Sequence, residues 1–437
     1  MSSMVAIQPL PGKGRALPVA AATAPGFPLV GAHFAAAFGW VLLGSAGLVW
    51  LAPQLAQGNF LDPRVLALTH TFTLGFLTTV IMGVLYQIYP AMLGVGMRSR
   101  VVAWWSLALQ TVGTVALVSG LLTGERQLLG CGWLLLFLAT FGVAWNILPG
   151  RRKAQRNKQV GAYVSYAHTA FGFAMAIGLA RIGDSFGWWT TPRLPLLAAH
   201  FQFAAVGFGG LTAMGVGSRM LPMFLGSPQE EDLAFRWIPR VLLTGTTLFG
   251  LGALLSSGVL QWSGAITMAL GALVFLRLAQ GWYDRSPLQG TDAALRLMIL
   301  ALGALAGSIP LGFAALYAGL RQPGLQAAYP VLFVLGWLGG LIIGVSYRIL
   351  PNLAWQHRFA GAQRNPGVPS MREIVSPRIG AVASWCFIAG IVALVPALAF
   401  GLAAVAQAGA GLVFVAVGLT CVHHLRLLVR SPVAPAH

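Results

Sequence analysis

Four of the eight histidines in this 437-residue chain occupy positions related by an internal repeat. His70 and His200 each precede a copy of a glycine motif. His33 and His168 share a local context, Ala32-His33-Phe34-Ala35 against Ala167-His168-Thr169-Ala170. Imidazole titrates near neutral pH and is the commonest protein metal ligand, so His33, His70, His168 and His200 are the candidate metal ligands. A lone histidine near a helix end also serves as a hydrogen-bond donor to a carbonyl, and His33 and His168 are equally readable as packing groups. His423 and His424, beside Arg426, are expected at the interface at the end of the last apolar stretch, and His357 and His437 fit no pattern. None of the nine carboxylates competes for a buried role. Asp62, Glu125 and Asp184 fall in connections on one side, Glu230, Glu231, Asp232, Asp284 and Glu373 in connections on the other, and Asp292 at a helix start. Cys131, Cys386 and Cys421 lie in separate apolar stretches with no metal-type spacing, and they read as small buried hydrophobes.

The element that must position these histidines occurs three times. It reads Gly75-Phe76, Met82-Gly83-Val84, Tyr86-Gln87-Ile88-Tyr89-Pro90. The second copy is Gly207-Phe208, Met214-Gly215-Val216, Ser218-Arg219-Met220-Leu221-Pro222, and the third Gly336-Trp337, Ile343-Gly344-Val345, Tyr347-Arg348-Ile349-Leu350-Pro351. In each copy the glycines are eight apart and the proline follows seven later, and the copies recur after 132 and then 129 residues. Glycines on one helix face permit close helix packing, and the proline reads as a helix stop. Arg219 and Arg348, which replace Gln87, would meet last-turn carbonyls or bind an anionic group such as a haem propionate.

Composition places these elements in a membrane. Hydrophobic residues make up 57% and charged residues 8%, with a mean hydropathy of +0.78, whereas soluble domains carry about 25% charge. Apolar stretches of about 20 residues, enough to cross a hydrocarbon core, recur near 28–52, 65–93, 101–123, 127–148, 159–181, 194–225, 237–257, 260–282, 292–319, 326–352, 377–400 and 403–427. Divided by the repeat, they give four helices per unit, over about 28–148, 159–282 and 292–427. The expected architecture is therefore one all-α membrane domain over 28–430, preceded by a cytoplasmic tail, 1–27, that has no cleavable signal. Residues 353–376 read as a flexible connection.

Charge orients the spans. With the N-terminus inside, Arg64, Arg126, Arg181, Arg193 and Arg321 lie outside and the other 22 of the 27 Lys and Arg inside. This is the positive-inside asymmetry of an even number of spans with both termini cytoplasmic, as in the inner membrane of a bacterial-type cell. The net charge of +18 thus reads as topology and as attraction to anionic lipid, and it does not point to nucleic-acid binding. His70 lies 20 residues before its motif proline and His200 lies 22 before its own, a difference of about 3 Å in depth at the helical rise. The same two residues turn them about 200° apart on an ideal helix, which is compatible with one site shared between the first two repeats. The third repeat has Val331 and Val334 in this region and no histidine.

Twelve spans in three groups of four, with histidines near the outer ends of the second and sixth, resemble subunit I of the haem-copper oxidases. The resemblance implies three four-helix arcs in a ring, a b-type haem on His70, copper on His200, and a c-type cytochrome or another respiratory subunit as partner. The sequence around the histidines, Thr69-His70 with Gly75-Phe76 and Gly83, then His200 with Val206-Gly207-Phe208-Gly209, is more similar still to the NnrS-type members of that superfamily, which are linked to nitric oxide tolerance. The chain departs from the family too. Spans 237–257 and 326–352 lack the histidines of a copper site and of the haem ligands, and Arg219 is followed by Met220-Leu221-Pro222 without the expected His.

Three functions stay open at this point. The first is an oxidase-like protein holding haem or copper for electron transfer or nitric oxide defence, short of a complete terminal oxidase. The second is a carrier or channel for a small solute or metal ion. The third is an accessory or assembly subunit with no chemistry of its own. Carriers of twelve spans that divide six and six conflict with a period that divides the chain four, four and four.

Overall fold

The computed structural model describes residues 26–154, 157–228, 233–288, 290–359, 368 and 374–429. The N-terminal tail to residue 25, Arg156, Glu230, Glu231, Asp232, Glu373, His437 and much of the 353–376 connection lie outside the described residues. Among the described residues every regular element is helical. Eleven helices are long and apolar enough to cross a membrane, which makes this an all-α, multi-pass membrane protein. They are α1 Phe27–Ala56, α2 Pro63–Leu93, α3 Arg100–Thr123, α4 Arg126–Lys153, α6 Arg193–Leu225, α7 Ala234–Leu254, α8 Gly258–Asp284, α9 Ala293–Arg321, α10 Pro323–Phe359, α11 Pro377–Ala399 and α12 Ala403–Leu427. Helix α5, Lys158–Ser185, is as long at 28 residues. Tyr163, Ser165, Tyr166, His168 and Thr169 dilute its apolar character, and it is not among the eleven.

One succession of elements appears three times in chain order. A long helix (α1, α5, α9) is followed by a helix that changes geometry partway, then by two helices joined by a short turn (α3 and α4, α7 and α8, α11 and α12). The change of geometry falls at the first glycine of the motif. Thr71–Thr78 in α2, Gln202–Gly210 in α6 and Leu332–Gly339 in α10 are π-helical, with α-helix on both sides. A π-helical turn is wider than an α-helical one and is rare.

Close packing accounts for the glycines. A Cβ added to Gly75 would lie 2.7 Å from Trp40 Cγ, one on Gly207 2.5 Å from Ala170 Cβ, and one on Gly336 3.0 Å from Ala304 Cβ. In every copy the partner is the first helix of its own repeat. The second glycine extends the seam to Tyr163 from Gly215 and to Leu297 from Gly344. The motif prolines do not stop their helices as expected. Pro90, Pro222 and Pro351 lie inside helical segments that run on to Leu93, Leu225 and Phe359. A proline removes one backbone donor, and membrane helices accommodate this through neighbouring groups.

The chain divides into two compact units. One comprises Ile81–Gly290 and the other Gly26–Val80 with Thr291–His437. In the first unit α3 and α4 pack tightly, and buried Asn146 ties them: its Oδ1 accepts from Ser99 N at 2.8 Å and its Nδ2 donates to Ser99 O at 2.7 Å. In the second unit the terminal helices α12 and α1 lie side by side, with Phe38 of α1 edge-on to His424 of α12 at 4.9 Å between ring centroids.

Candidate functional site: histidines of the helix interiors

The four repeat-related histidines share one hydrogen-bonding arrangement. His33 Nδ1 lies 2.8 Å from Leu29 O, His70 Nδ1 2.7 Å from Leu66 O, and His168 Nδ1 2.8 Å from Val164 O, each bonding back one turn on its own helix. His200 Nδ1 lies 2.9 Å from Ala174 O of α5. A carbonyl only accepts, so Nδ1 carries the proton in all four and the lone pair is fixed on Nε2. This is how metal-ligating histidines are oriented by an outer hydrogen bond, and it is equally the arrangement of a histidine that only satisfies a carbonyl.

His70 and His200 sit where their helices change geometry. His70 is the residue immediately before the first π segment, and His200 precedes the second by two. His70 belongs to the unit of Gly26–Val80 and Thr291–His437, and His200 to the other. The bond from His200 reaches α5 beside a second one, since Trp133 Nε1 donates to Met175 O at 2.9 Å. Gly178 faces both rings: a Cβ there would make ordinary contacts, 3.7 Å from Trp133 Cδ1 and 3.9 Å from His200 Cε1.

His33 does not share the level of His70 along its helix pair, nor His168 that of His200. Helices α1 and α2 run antiparallel, with Gly47 against Leu68, Gly44 against Phe72 and Trp40 against Gly75. That register separates His33 from the level of His70 by about 13 residues, or roughly 20 Å along the helices. In α5 and α6, Gly207 meets Ala170 and Gly215 meets Tyr163, while His200 meets Ala174. His168 therefore lies roughly 12 Å along the pair from His200, with its ring edge-on to Phe208 at 6.0 Å. His33 is wholly buried. Among the described residues no three His, Cys, Asp or Glu side chains converge so as to hold a metal ion.

The two arginines differ in what the structure gives them. Arg348 Nη2 pairs with Asp292 Oδ2 at 2.7 Å, both side chains about one-quarter exposed at 26% and 27%. The other oxygen of Asp292 accepts from Leu295 N at 2.9 Å and caps α9. Arg348 is thus committed to tying α10 to the start of α9, which displaces the expectation that it meets last-turn carbonyls. Arg219 is half-buried at the equivalent place in α6.

Three buried polar residues were not among the candidate ligands read from the sequence. Gln202, five residues before Gly207 as His70 is before Gly75, opens the second π segment with its Oε1 buried and without a hydrogen-bond partner. His423 and His424 are 3% and 5% exposed and turned into the protein, because α12 packs against α1 and α10. Their rings lie 4.9 and 5.2 Å from Tyr347, and His424 Nε2 bonds Ser346 Oγ at 2.8 Å. The available signal was two adjacent histidines in an otherwise apolar helix, which the nearby Arg426 masked. Comparison with known proteins adds no assignment, since no family model and no curated protein matches the chain.

Proposed function

We propose that the chain is a twelve-span membrane protein on the plan of haem-copper oxidase subunit I, built from three four-helix repeats with both termini cytoplasmic. It binds a b-type haem or a copper ion through His70, with His200 the ligand candidate of the second repeat, and serves electron transfer or nitric oxide defence. The observation that carries this reading is the common state of the two histidines. Each stands at the entry to a π-helical segment of its repeat, and each has Nδ1–H held by a carbonyl, so that Nε2 carries the lone pair.

The residues fit such a group in part. One correctly oriented imidazole in each unit suits an axial haem ligand or one ligand of a copper ion, and a bound haem or copper would supply one-electron redox chemistry. The chain's own part is to hold the imidazole by Leu66 O or Ala174 O and to keep water away with the apolar residues of the π segments. Arg348, already paired with Asp292, is poorly suited to a haem propionate, which leaves Arg219 for that role. A complete oxidase site does not fit. Helix α7 has no histidine and α10 has only His357, exposed and two residues from its end and stacked on Phe27 at 5.1 Å. The test is the visible spectrum of the purified protein with metal analysis: a Soret band or stoichiometric copper, lost in His70→Ala, is the expected result, and a colourless, metal-free protein from haem- and copper-replete cells would refute it.

A further inference from the structure

The third repeat has no histidine at its π segment but two on its last helix, and the protons around them can be followed one by one. Ser346 Oγ gives its only proton to Ile343 O at 2.6 Å. Towards His424 Nε2, 2.8 Å away, it therefore accepts. His424 thus carries its hydrogen on Nε2 and its lone pair on Nδ1, which is buried without a hydrogen-bond partner. Thr420 Oγ1 donates to Ala416 O at 2.8 Å, so Tyr347 Oη, 3.0 Å from it, is the donor of that pair. The Cys421 thiol donates to Phe38 O at 3.7 Å. The protons of Ser346, Tyr347, Thr420 and Cys421 are all engaged. None of them meets His424 Nδ1 or the second ring nitrogen buried here without a partner, His423 Nε2.

The two rings stand as ligands of one ion would. Two imidazoles bound to one metal by bonds of about 2.0 Å, at an angle of about 120°, place their ring centres about 5.4 Å apart. Those of His423 and His424 are 5.4 Å apart, with the ring planes at 63°. Tyr347 packs against both rings and Phe38 against that of His424, which keeps the pair dry. The bond from His424 Nε2–H to Ser346 is the outer contact that orients a ligating imidazole.

Charge selects the ion. Helices α1, α10 and α12 contain no Asp or Glu, and exposed Arg426 follows His424 by two residues. Asp292, which reaches α10, is already paired with Arg348. A divalent ion here would keep its charge uncompensated in an apolar interior, and two imidazoles fall short of the four ligands of a structural zinc. Cuprous copper carries a single charge, accepts imidazole nitrogen, and is satisfied by few ligands. We infer that His423 Nε2 and His424 Nδ1 form a binding site for Cu(I), with Ser346 as the residue that positions His424. The site is independent of His70 and His200 and lies on the fourth helix of its repeat, away from the glycine motif.

The experiment titrates the full chain in detergent, under anaerobic conditions, with Cu(I) against the chromophoric chelator bicinchoninate, and reads the coordination of the bound copper by X-ray absorption. The parent is the His70→Ala/His200→Ala double variant, in which copper bound through those residues does not contribute. It is expected to take up one equivalent of Cu(I) and to show imidazole scattering from two ligands. His424→Gln keeps an amide in place of Nε2–H for Ser346 and removes Nδ1, and His423→Asn removes Nε2. Each should abolish the binding. Ser346→Ala should weaken it about tenfold, as loss of an outer contact implies, while His357→Ala, on the exposed end of α10, should bind as the parent does. Absence of Cu(I) from the double variant overturns this site, whatever wild type binds. Binding unchanged in both His424→Gln and His423→Asn, or displacement of Cu(I) by equimolar Zn(II), overturns it as well.

Discussion

The π-helical segments of the first and third copies of the glycine motif lie in one unit and share a backbone, yet they differ in almost every polar atom. Thr71–Thr78 is entered from His70, and its hydroxyls bond to backbone carbonyls. Thr78 Oγ1 donates to Thr73 O at 2.8 Å and Thr79 Oγ1 to Leu74 O at 3.2 Å, both reaching back five residues. Leu332–Gly339 is wholly apolar, is entered from Val331, and is π-helical all the same. Neither the threonines nor the histidine, then, is what widens the helix. Common to both are a glycine pressed against the first helix of the repeat and aromatic residues around it, Phe72 and Phe76 in one copy and Phe333 and Trp337 in the other. The π segment belongs to the architecture, and the chemistry has been added to selected copies. A π segment by itself is therefore no mark of a functional site here, although such segments often are elsewhere.

The largest expected effect comes from attacking what the copies share. Gly207→Ala places a methyl 2.5 Å from Ala170 Cβ, and overpacking of this kind costs about 1–3 kcal/mol. Thermal unfolding in detergent should show that loss for Gly207→Ala and Gly75→Ala, and less of it for Gly336→Ala, where the contact is 3.0 Å. If Gly336→Ala is the most damaging, the seams are not equivalent and the comparison breaks.

Next comes a feature peculiar to the third repeat. Asp292→Ala removes both the helix cap of α9 and the partner of Arg348. It should cost about 1–2 kcal/mol, mostly from the cap, while Arg348→Met should cost under about 1 kcal/mol. Equal losses in the two variants would mean that the ion pair dominates.

Smaller still is the conversion of the first copy toward the third. Thr78→Val and Thr79→Val each delete one side-chain bond and keep the shape, at about 1 kcal/mol apiece. The π segment should survive in a structure of the double variant. Its reversion to α-helix would show that the hydroxyls hold the wide turn after all.

The smallest effect is one of acidity, at the start of the same helix. Asp62 caps α2, accepting Arg64 N at 2.8 Å, and the Arg64 guanidinium holds its carboxyl at about 2, below the ordinary 3.8. A depressed carboxyl pKa contributes stability that is complete above about pH 4 and lost as pH falls through about 2. Unfolding temperatures of wild type and Asp62→Asn should differ slightly at pH 5 and converge near pH 2.

Much of the architecture was legible because it rests on composition and period. The apolar lengths predict the spans, and Gly75, Gly207 and Gly336 predict close seams, since a small residue at a fixed interval has few other uses in lipid. The π segments were not legible. They coincide with close contacts to Trp40, Ala170 and Ala304, residues far from the motif in sequence. Pro90, Pro222 and Pro351 misled as helix stops because lipid-embedded helices tolerate a lost donor that a soluble helix does not. His423 and His424 misled for a related reason: closeness to Arg426 suggests an interface, while the face each side chain takes is fixed by the neighbours of α12. Arg348 was visible as a residue, but its pairing with Asp292 joins two helices whose register the sequence does not carry.

The central claim is that the first two repeats hold ligand histidines on a scaffold the third shares without them. The direct measurement is the visible absorption spectrum, with haem and copper quantified, of wild type, His70→Ala and His200→Ala purified from haem- and copper-replete cells. The account predicts a bound haem or copper that His70→Ala removes while the protein stays folded and monodisperse, and that His200→Ala removes or alters. A colourless, metal-free wild type, or a spectrum unchanged in both variants, would contradict it.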